Sequence, residues 1–344
     1  MYDGTGGTAM SDADNRSEST RRMDRRDILR GAAALVAGGV ALAAATPAAA
    51  QAEQQALAVD AEFFPGFRTE KVQTSGAVIH SVIGGSGPPV LLLHGAPQSR
   101  VSWAAVAREL VRDHTVVVTD LRGYGDSGKI AGDERHDLYS KRTMALDQVE
   151  VMRHFGFERF TVFGHDRGAR VTHRLALDHP DKVERAALLD IIPTHYLFSH
   201  VDKAFAESAY HWFFFARPAP FPETVISNSL ELFVGRGDPT LGAEYRRVFR
   251  IPGTLHAMCE DYRAGASIDF EHDGADLDKK VRCPLHVLWG ENGSVAGRYD
   301  ALAIWGQRAA RLTGKQMPGG HSFQESHPKE TVAELRAFLS ASAA

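Results

Sequence analysis

Residues 164–170 read Gly-His-Asp-Arg-Gly-Ala-Arg. The apolar run Phe160 to Phe163 precedes them, and a helix-like run, Val171 to Asp178, follows. This is the setting of a nucleophile elbow, a sharp strand-to-helix turn that lifts one side chain above a parallel sheet. Serine usually stands there; here the residue is Asp166. A carboxylate in that seat attacks carbon directly and becomes an ester, which points to alkyl halides or epoxides rather than to acyl esters. Arg167 and Arg170 come next. Cations in the first turn of a helix oppose its dipole. An anion should therefore lie close: Asp166 itself, and a substrate carboxylate gripped by both guanidinium groups.

The chemistry also needs a base and an acid. Asp166, Asp190 and His321 follow the nucleophile, acid, base order of the elbow hydrolases. His321 ends Pro318-Gly319-Gly320-His321, a loop just before the last helix pattern. Asp190 closes the apolar run that follows the elbow helix, where a strand end delivers a carboxylate to the site. Glu291 is the alternative acid. Asp190 would hold the His321 tautomer and stabilise the imidazolium. Two backbone N–H groups, of Ala96 and Arg167, are the candidate oxyanion hole for water attack on the ester. His94 and His165 read as structural turn-formers.

These residues need a scaffold. Continuous apolar strands such as Val90 to Leu93 and Val116 to Val118 suit a sheet covered on both faces. Strand and helix patterns alternate as far as Ile192, which implies an α/β fold with a mostly parallel twisted sheet and helices on both faces. An antiparallel hairpin at 69–83 starts it. Residues 194–274 break the alternation and are aromatic-rich and mostly helical in pattern, an inserted helical cap. The core is then 67–193 and 275–344. Residues 1–50 read as an export signal: Arg25-Arg26-Asp27-Ile28-Leu29-Arg30 resembles a twin-arginine motif, an apolar stretch follows, and Ala48-x-Ala50 suits cleavage after Ala50. Residues 51–66 are expected to be a linker. The predicted location is periplasmic or extracellular, or cytoplasmic if the signal is unused. The apolar stretch is too short and Ala/Gly-rich for a stable membrane span.

The 344 residues carry a net charge of −4, with 44% hydrophobic and 24% charged residues, ordinary values for a globular protein. No basic stripe suggests a nucleic-acid partner. Cys259 and Cys283 fit neither a disulfide scaffold nor a metal site. The glycine-rich loops lack a Walker lysine, so no nucleotide is implied.

The elbow motif resembles that of the fluoroacetate (haloacetate) dehalogenases of the α/β-hydrolase superfamily. So do Asp120-Leu121-Arg122-Gly123-Tyr124-Gly125, Leu189-Asp190-Ile191-Ile192-Pro193-Thr194, Tyr210-His211-Trp212 and Asp261-Tyr262-Arg263-Ala264-Gly265. The resemblance runs from about Phe67 to the C-terminus. It implies that His211, Trp212 and Tyr262 bind the halide, that no cofactor or metal is required, and that the enzyme is a homodimer. It implies hydrolysis of fluoroacetate or a related 2-haloacid to the 2-hydroxy acid. Ala96 and Arg236 depart from the family pattern, which has a large aromatic and a Trp there; both leave room for larger or chlorinated 2-haloacids. The alternative is an epoxide hydrolase using the same Asp166, with Tyr210 and Tyr262 protonating the epoxide oxygen. A non-catalytic binding protein on this scaffold is the third reading.

Overall fold

The computed structural model describes residues 47–235 and 237–341. Residues 50–341 belong to one compact unit. Its centre is an eight-stranded sheet of order β1-β2-β4-β3-β5-β6-β7-β8. The strands are β1 (Arg68–Gln73), β2 (Val78–Gly84), β3 (Pro89–Leu93), β4 (Thr115–Thr119), β5 (Phe160–His165), β6 (Val183–Leu189), β7 (Val281–Asn292) and β8 (Ala309–Gly320). β1 and β2 form an antiparallel hairpin and β2 runs antiparallel to β4; the remaining neighbours are parallel. The parallel strands are uninterrupted apolar runs because both faces are covered. Leu91, Val117 and Val162, paired across three strands, are wholly buried.

Helix α1 (Pro47–Phe63) precedes the sheet. α2 (Ala104–Leu110), α3 (Lys141–His154) and α4 (Arg167–Asp178) connect the strands up to β6. Ser140 caps α3, its side chain accepting the Thr143 N–H, and so satisfies one orphan donor of the first turn. Among the described residues eight helices lie between β6 and β7: α5 (Thr194–Ser199), α6 (Lys203–Ser208), α7 (Tyr210–Phe215), α8 (Phe221–Ser227), α9 (Leu230–Phe233), α10 (Pro239–Phe249), α11 (Thr254–Ala266) and α12 (Ile268–Ala275). The chain closes with α13 (Ala301–Gly306), α14 (Phe323–Ser326) and α15 (Pro328–Ser340).

The expected linker at 51–66 is corrected by α1. Its run is rich in Ala, Gln, Glu and Leu, strong helix formers. Its Asp60 is buried and accepts from Arg100 Nε at 2.6 Å and Thr69 Oγ1 at 2.8 Å, with His80 Nε2 at 2.7 Å. That anchor joins residues far apart in sequence, so no local pattern announces it. The export-signal expectation falls outside the described residues, apart from the exposed first turn of α1, Pro47 to Ala50.

Candidate active site

Every predicted triad member stands just past the C-terminal end of a parallel strand, where ligands bind in open α/β sheets. Asp166 follows β5, Asp190 follows β6 and His321 follows β8. Asp166 sits at φ 46° and Asp190 at φ 55°, backbone that non-glycine residues adopt only when their surroundings enforce it. Around Asp166 that enforcement is a tight turn. A Cβ on Gly168 would lie 2.4 Å from the Leu93 carbonyl oxygen, and one on Gly164 2.4 Å from that of Gly168. Glycine at both positions lets α4 press onto β3 and β5, and this raises Asp166 over the sheet.

His321 Nδ1 lies 2.5 Å from Asp190 Oδ2, and its Nε2 lies 3.9 Å from Asp166 Oδ1. Asp190 is buried and also accepts from the Ser294 N–H and hydroxyl, both at 2.8 Å, and from the Gly290 N–H at 3.2 Å. Glu291, the alternative acid, is exposed and accepts only a long contact, 3.4 Å, from the Gly319 N–H. The geometry therefore pairs His321 with Asp190. Burial pushes the imidazole pKa down, but the hydrogen bond and charge of Asp190 and the charge of Asp166 outweigh it and lift His321 to about 9.

Burial pushes Asp166 the other way, up, but His321, His165, Arg167 and the Ala96 N–H hold it at about 2. The nucleophile candidate is thus ionised at any ordinary pH. The Ala96 N–H donates to Asp166 Oδ2 at 3.0 Å. Arg167 opens α4, so its N–H has no acceptor inside the helix. Oδ2 therefore meets the Ala96 donor of the predicted oxyanion hole, and Oδ1 faces His321.

The two arginines are not equivalent. Arg167 is fully buried and donates from Nε and Nη2 to the Asp261 carboxylate at 2.8 and 2.9 Å. It stacks 4.4 Å from the Tyr262 ring centroid. Asp261 also accepts a hydrogen bond from the Tyr124 hydroxyl at 2.7 Å and pairs with Lys141. Only Arg167 Nη1 lacks a partner. Among the described residues Arg170 has no carboxylate partner: its Nη1 donates to the Ile192 carbonyl and Thr194 Oγ1, both at 3.0 Å, and its buried Nε is unpartnered. Burial and the neighbouring Arg167 depress its pKa. The Trp212 ring face, 4.5 Å away, and the charge of Asp166 offset part of the cost of burying this cation, and an anion bound directly to the guanidinium would offset more. The pairing of Asp261 with Arg167 spans 94 residues, so no local pattern in the sequence signals it.

His211, Trp212 and Tyr262 line the same cavity as Asp166, Arg170 and His321. Their rings meet edge-on, Tyr262 lying 5.5 Å from Trp212 and 6.1 Å from His211. Burial lowers His211 to about 4 and raises the Tyr262 phenol. At neutral pH both are uncharged donors. Ala96 and Tyr210 also line the cavity, whose volume is about 1100 Å³. Arg236 lies outside the described residues. His94 is structural: its Nδ1 lies 2.7 Å from the Gly95 carbonyl and its Nε2 accepts the Leu121 N–H at 3.0 Å. His165 packs behind the elbow, its Nε2 2.9 Å from the His321 carbonyl oxygen and its Nδ1 3.0 Å from Gln98 Oε1. Burial keeps that ring neutral, at about 3, so its single N–H can donate to only one of these two acceptors.

Both cysteines are buried and unpaired. Among the described residues no His, Cys, Asp and Glu cluster suits a metal ion, and no helix is long and apolar enough to cross a membrane.

Sheet order, strand-end site and elbow together define an α/β hydrolase whose elbow carries aspartate. The alpha/beta hydrolase fold family matches residues 88–328. A fluoroacetate dehalogenase from Burkholderia sp is 46% identical over 289 residues, covering 80% of this chain and 95% of its own length. A soluble epoxide hydrolase from Corynebacterium sp. (strain C12) is 33% identical, over 75% of this chain and 92% of its own. The solved structure of a candidate α/β hydrolase from Nostoc sp PCC 7120 matches with TM-score 0.78 and 48% identity, over 81% of this chain and 99% of that one. The chain belongs to the fluoroacetate (haloacetate) dehalogenase family of the α/β-hydrolase superfamily.

Proposed function

We propose that this chain hydrolyses 2-haloacids, fluoroacetate among them, to 2-hydroxy acids through an ester on Asp166. The observation that carries this reading is one cavity holding an ionised Asp166, His321 paired to Asp190, and the carboxylate-free Arg170. Arg170, helped by Arg167 Nη1, takes the substrate carboxylate. Asp166 Oδ1 attacks the halogen-bearing carbon in line, and the carbon–halogen bond breaks as the new C–O bond forms. The halide leaves toward the ring N–H and O–H donors of His211, Trp212 and Tyr262. Fluoride is strongly hydrated, and each preorganised donor in a dry site contributes on the order of 3 kcal/mol toward replacing that water.

The ester carbonyl oxygen is then Oδ2, already beside the Ala96 N–H. His321 takes a proton from water, whose oxygen adds to the ester carbon. Collapse expels the alkoxide, which recovers the proton from His321. The Asp166 carboxylate re-forms with release of the second water proton.

The test is halide release by protein lacking residues 1–50, followed in ¹⁸O water over a single turnover. The first product should carry unlabelled oxygen, from Asp166; label in that first product, or no halide from any 2-haloacid, overturns the reading. Epoxide hydrolysis is the second reading, favoured by Tyr262, which lines the same cavity as the nucleophile and carries a phenol that could protonate the epoxide oxygen. A neutral epoxide has no use for Arg170. Arg170→Ala should remove haloacid turnover, and the reverse ranking follows if epoxide turnover is the activity that persists and exceeds it.

Export by the twin-arginine segment at Arg25-Arg26, a periplasmic or extracellular location and a homodimer complete the proposal. The motif order at residues 25–50 supports the first two and the family resemblance the third. Cell fractionation and solution mass are the checks; a cytoplasmic monomer would refute all three.

A further inference from the structure

Gln98 lies two residues past the Ala96 donor, is buried, and is absent from the cavity wall. Its one amide group nonetheless reaches three segments that carry the chemistry. Its Oε1 accepts the N–H of Gly95 at 3.2 Å, the residue before Ala96. The same oxygen lies 3.0 Å from Nδ1 of His165, the residue before Asp166. Its Nε2 donates to Ser322 Oγ at 3.1 Å and to Glu325 Oε1 at 2.6 Å, just after His321. Glu325 Oε1 in turn accepts the Tyr245 hydroxyl at 2.5 Å, and Tyr245 stands on α10. A chain of hydrogen bonds therefore runs from the helices between β6 and β7, through Glu325 and Gln98, to the oxyanion turn and the base loop.

We propose that Gln98 is a positioning residue for the hydrolytic half of the reaction, holding the Ala96 N–H and His321 in register about Asp166. This rests on the aspartyl-ester reading above. The two halves make different demands. Forming the ester requires Asp166 Oδ1, the arginines and the halide donors, none of which Gln98 touches. Cleaving it requires a donor at Oδ2 and a base aimed at a water on the ester carbon, both at once. The turn and the loop that supply them are the segments Gln98 ties together. Loss of alignment by 1 Å can slow such a step by about 10²-fold.

The experiment is pre-steady-state halide release and steady-state turnover of chloroacetate by full-length Gln98→Met, which keeps the side-chain length and removes all four contacts. kcat should fall about 30- to 100-fold, a loss of alignment on that scale. KM should fall with it. Because kcat/KM reports only steps up to irreversible carbon–halogen cleavage, it should stay within roughly threefold of wild type. Halide should appear as a burst near one equivalent, with an alkyl adduct on Asp166 by mass spectrometry. Gln98→Glu combined with Glu325→Gln reverses donor and acceptor across the 2.6 Å contact and should recover much of kcat. If Gln98→Met does not fold, Glu325→Ala severs only the outer half of the bridge and should show the same pattern more weakly. A fall of kcat/KM as large as that of kcat, with no burst and no adduct in a folded variant, overturns the proposal. Failure of the underlying reading looks different: the wild-type enzyme itself would release no halide.

Discussion

His321 and Asp166 have opposite protonation at neutral pH, and each sustains the other. The imidazolium, lifted to about 9, helps keep the carboxylate at about 2, and the carboxylate helps keep the imidazolium. Alkylation converts Asp166 to a neutral ester and removes one of the two anions that raise His321. Its pKa must then fall below about 9, which lets it act as a base in the second half. The two halves should separate with pH. Of the titrating groups, ester formation needs ionised Asp166 and neutral His211, so it stays constant down to about pH 5, roughly one unit above the His211 value of about 4. Ester hydrolysis needs neutral His321 and is lost as pH drops through the His321 pKa of the intermediate. At pH 5, rapid-quench assays should show a stoichiometric halide burst, slow turnover and accumulated adduct. Burst and turnover declining together would contradict this assignment.

At the scale of elements, the site depends on helix ends and strand ends held by ions as much as by apolar packing. α4 starts with two arginines against its own dipole, and Asp261 from α11 offsets one of them. α1 is held by Asp60 against Arg100 and His80. Asp60→Ala leaves Arg100 with Asp120 and Asp126, at 2.6 and 2.9 Å, so the loss sits at the low end for a broken buried pair, about 3 kcal/mol. At about 2.1 cal/mol/K per residue, a unit of roughly 290 residues shifts by about 1.6 °C per kcal/mol, so calorimetry should record a Tm lower by about 5 °C. Asp60 lies off the cavity wall, so kcat at 25 °C should be unchanged. An unaltered Tm would show that α1 does not brace the sheet.

For the molecule as a whole, the cavity is larger than its simplest substrate. A haloacetate has five heavy atoms; at about 30 Å³ each, as for water in the liquid, it fills roughly 150 Å³. The cavity is about 1100 Å³ and includes apolar walls from Phe205, Leu232, Phe233 and Val295. Burying one methylene contributes about 0.8 kcal/mol, close to a fourfold effect. Along 2-chloropropionate, 2-chlorobutanoate and 2-chlorohexanoate, all attacked at a secondary carbon, KM should fall about three- to fourfold per added methylene until the wall is reached. KM rising from the propionate onward would mean that the space beside Asp166 is closed to larger acids.

The family resemblance alone implies the aromatic trio of the cavity; the sequence by itself determined the hydrolase core, the elbow at 164–170 and the choice of Asp190 over Glu291 as the candidate partner of His321. Those features are local: strands are apolar runs, turns are glycines, and a strand end points its next side chain at the site. Tertiary structure alone decided that Arg167 is already neutralised by Asp261 while Arg170 is not, that 51–66 is helix rather than linker, and that Gln98 joins three loops. Each of these is a pairing between residues brought together only when the chain closes. Hydrogen bonds and ion pairs act over about 3 Å of space whatever the separation along the chain, so no spacing in the sequence could reveal them.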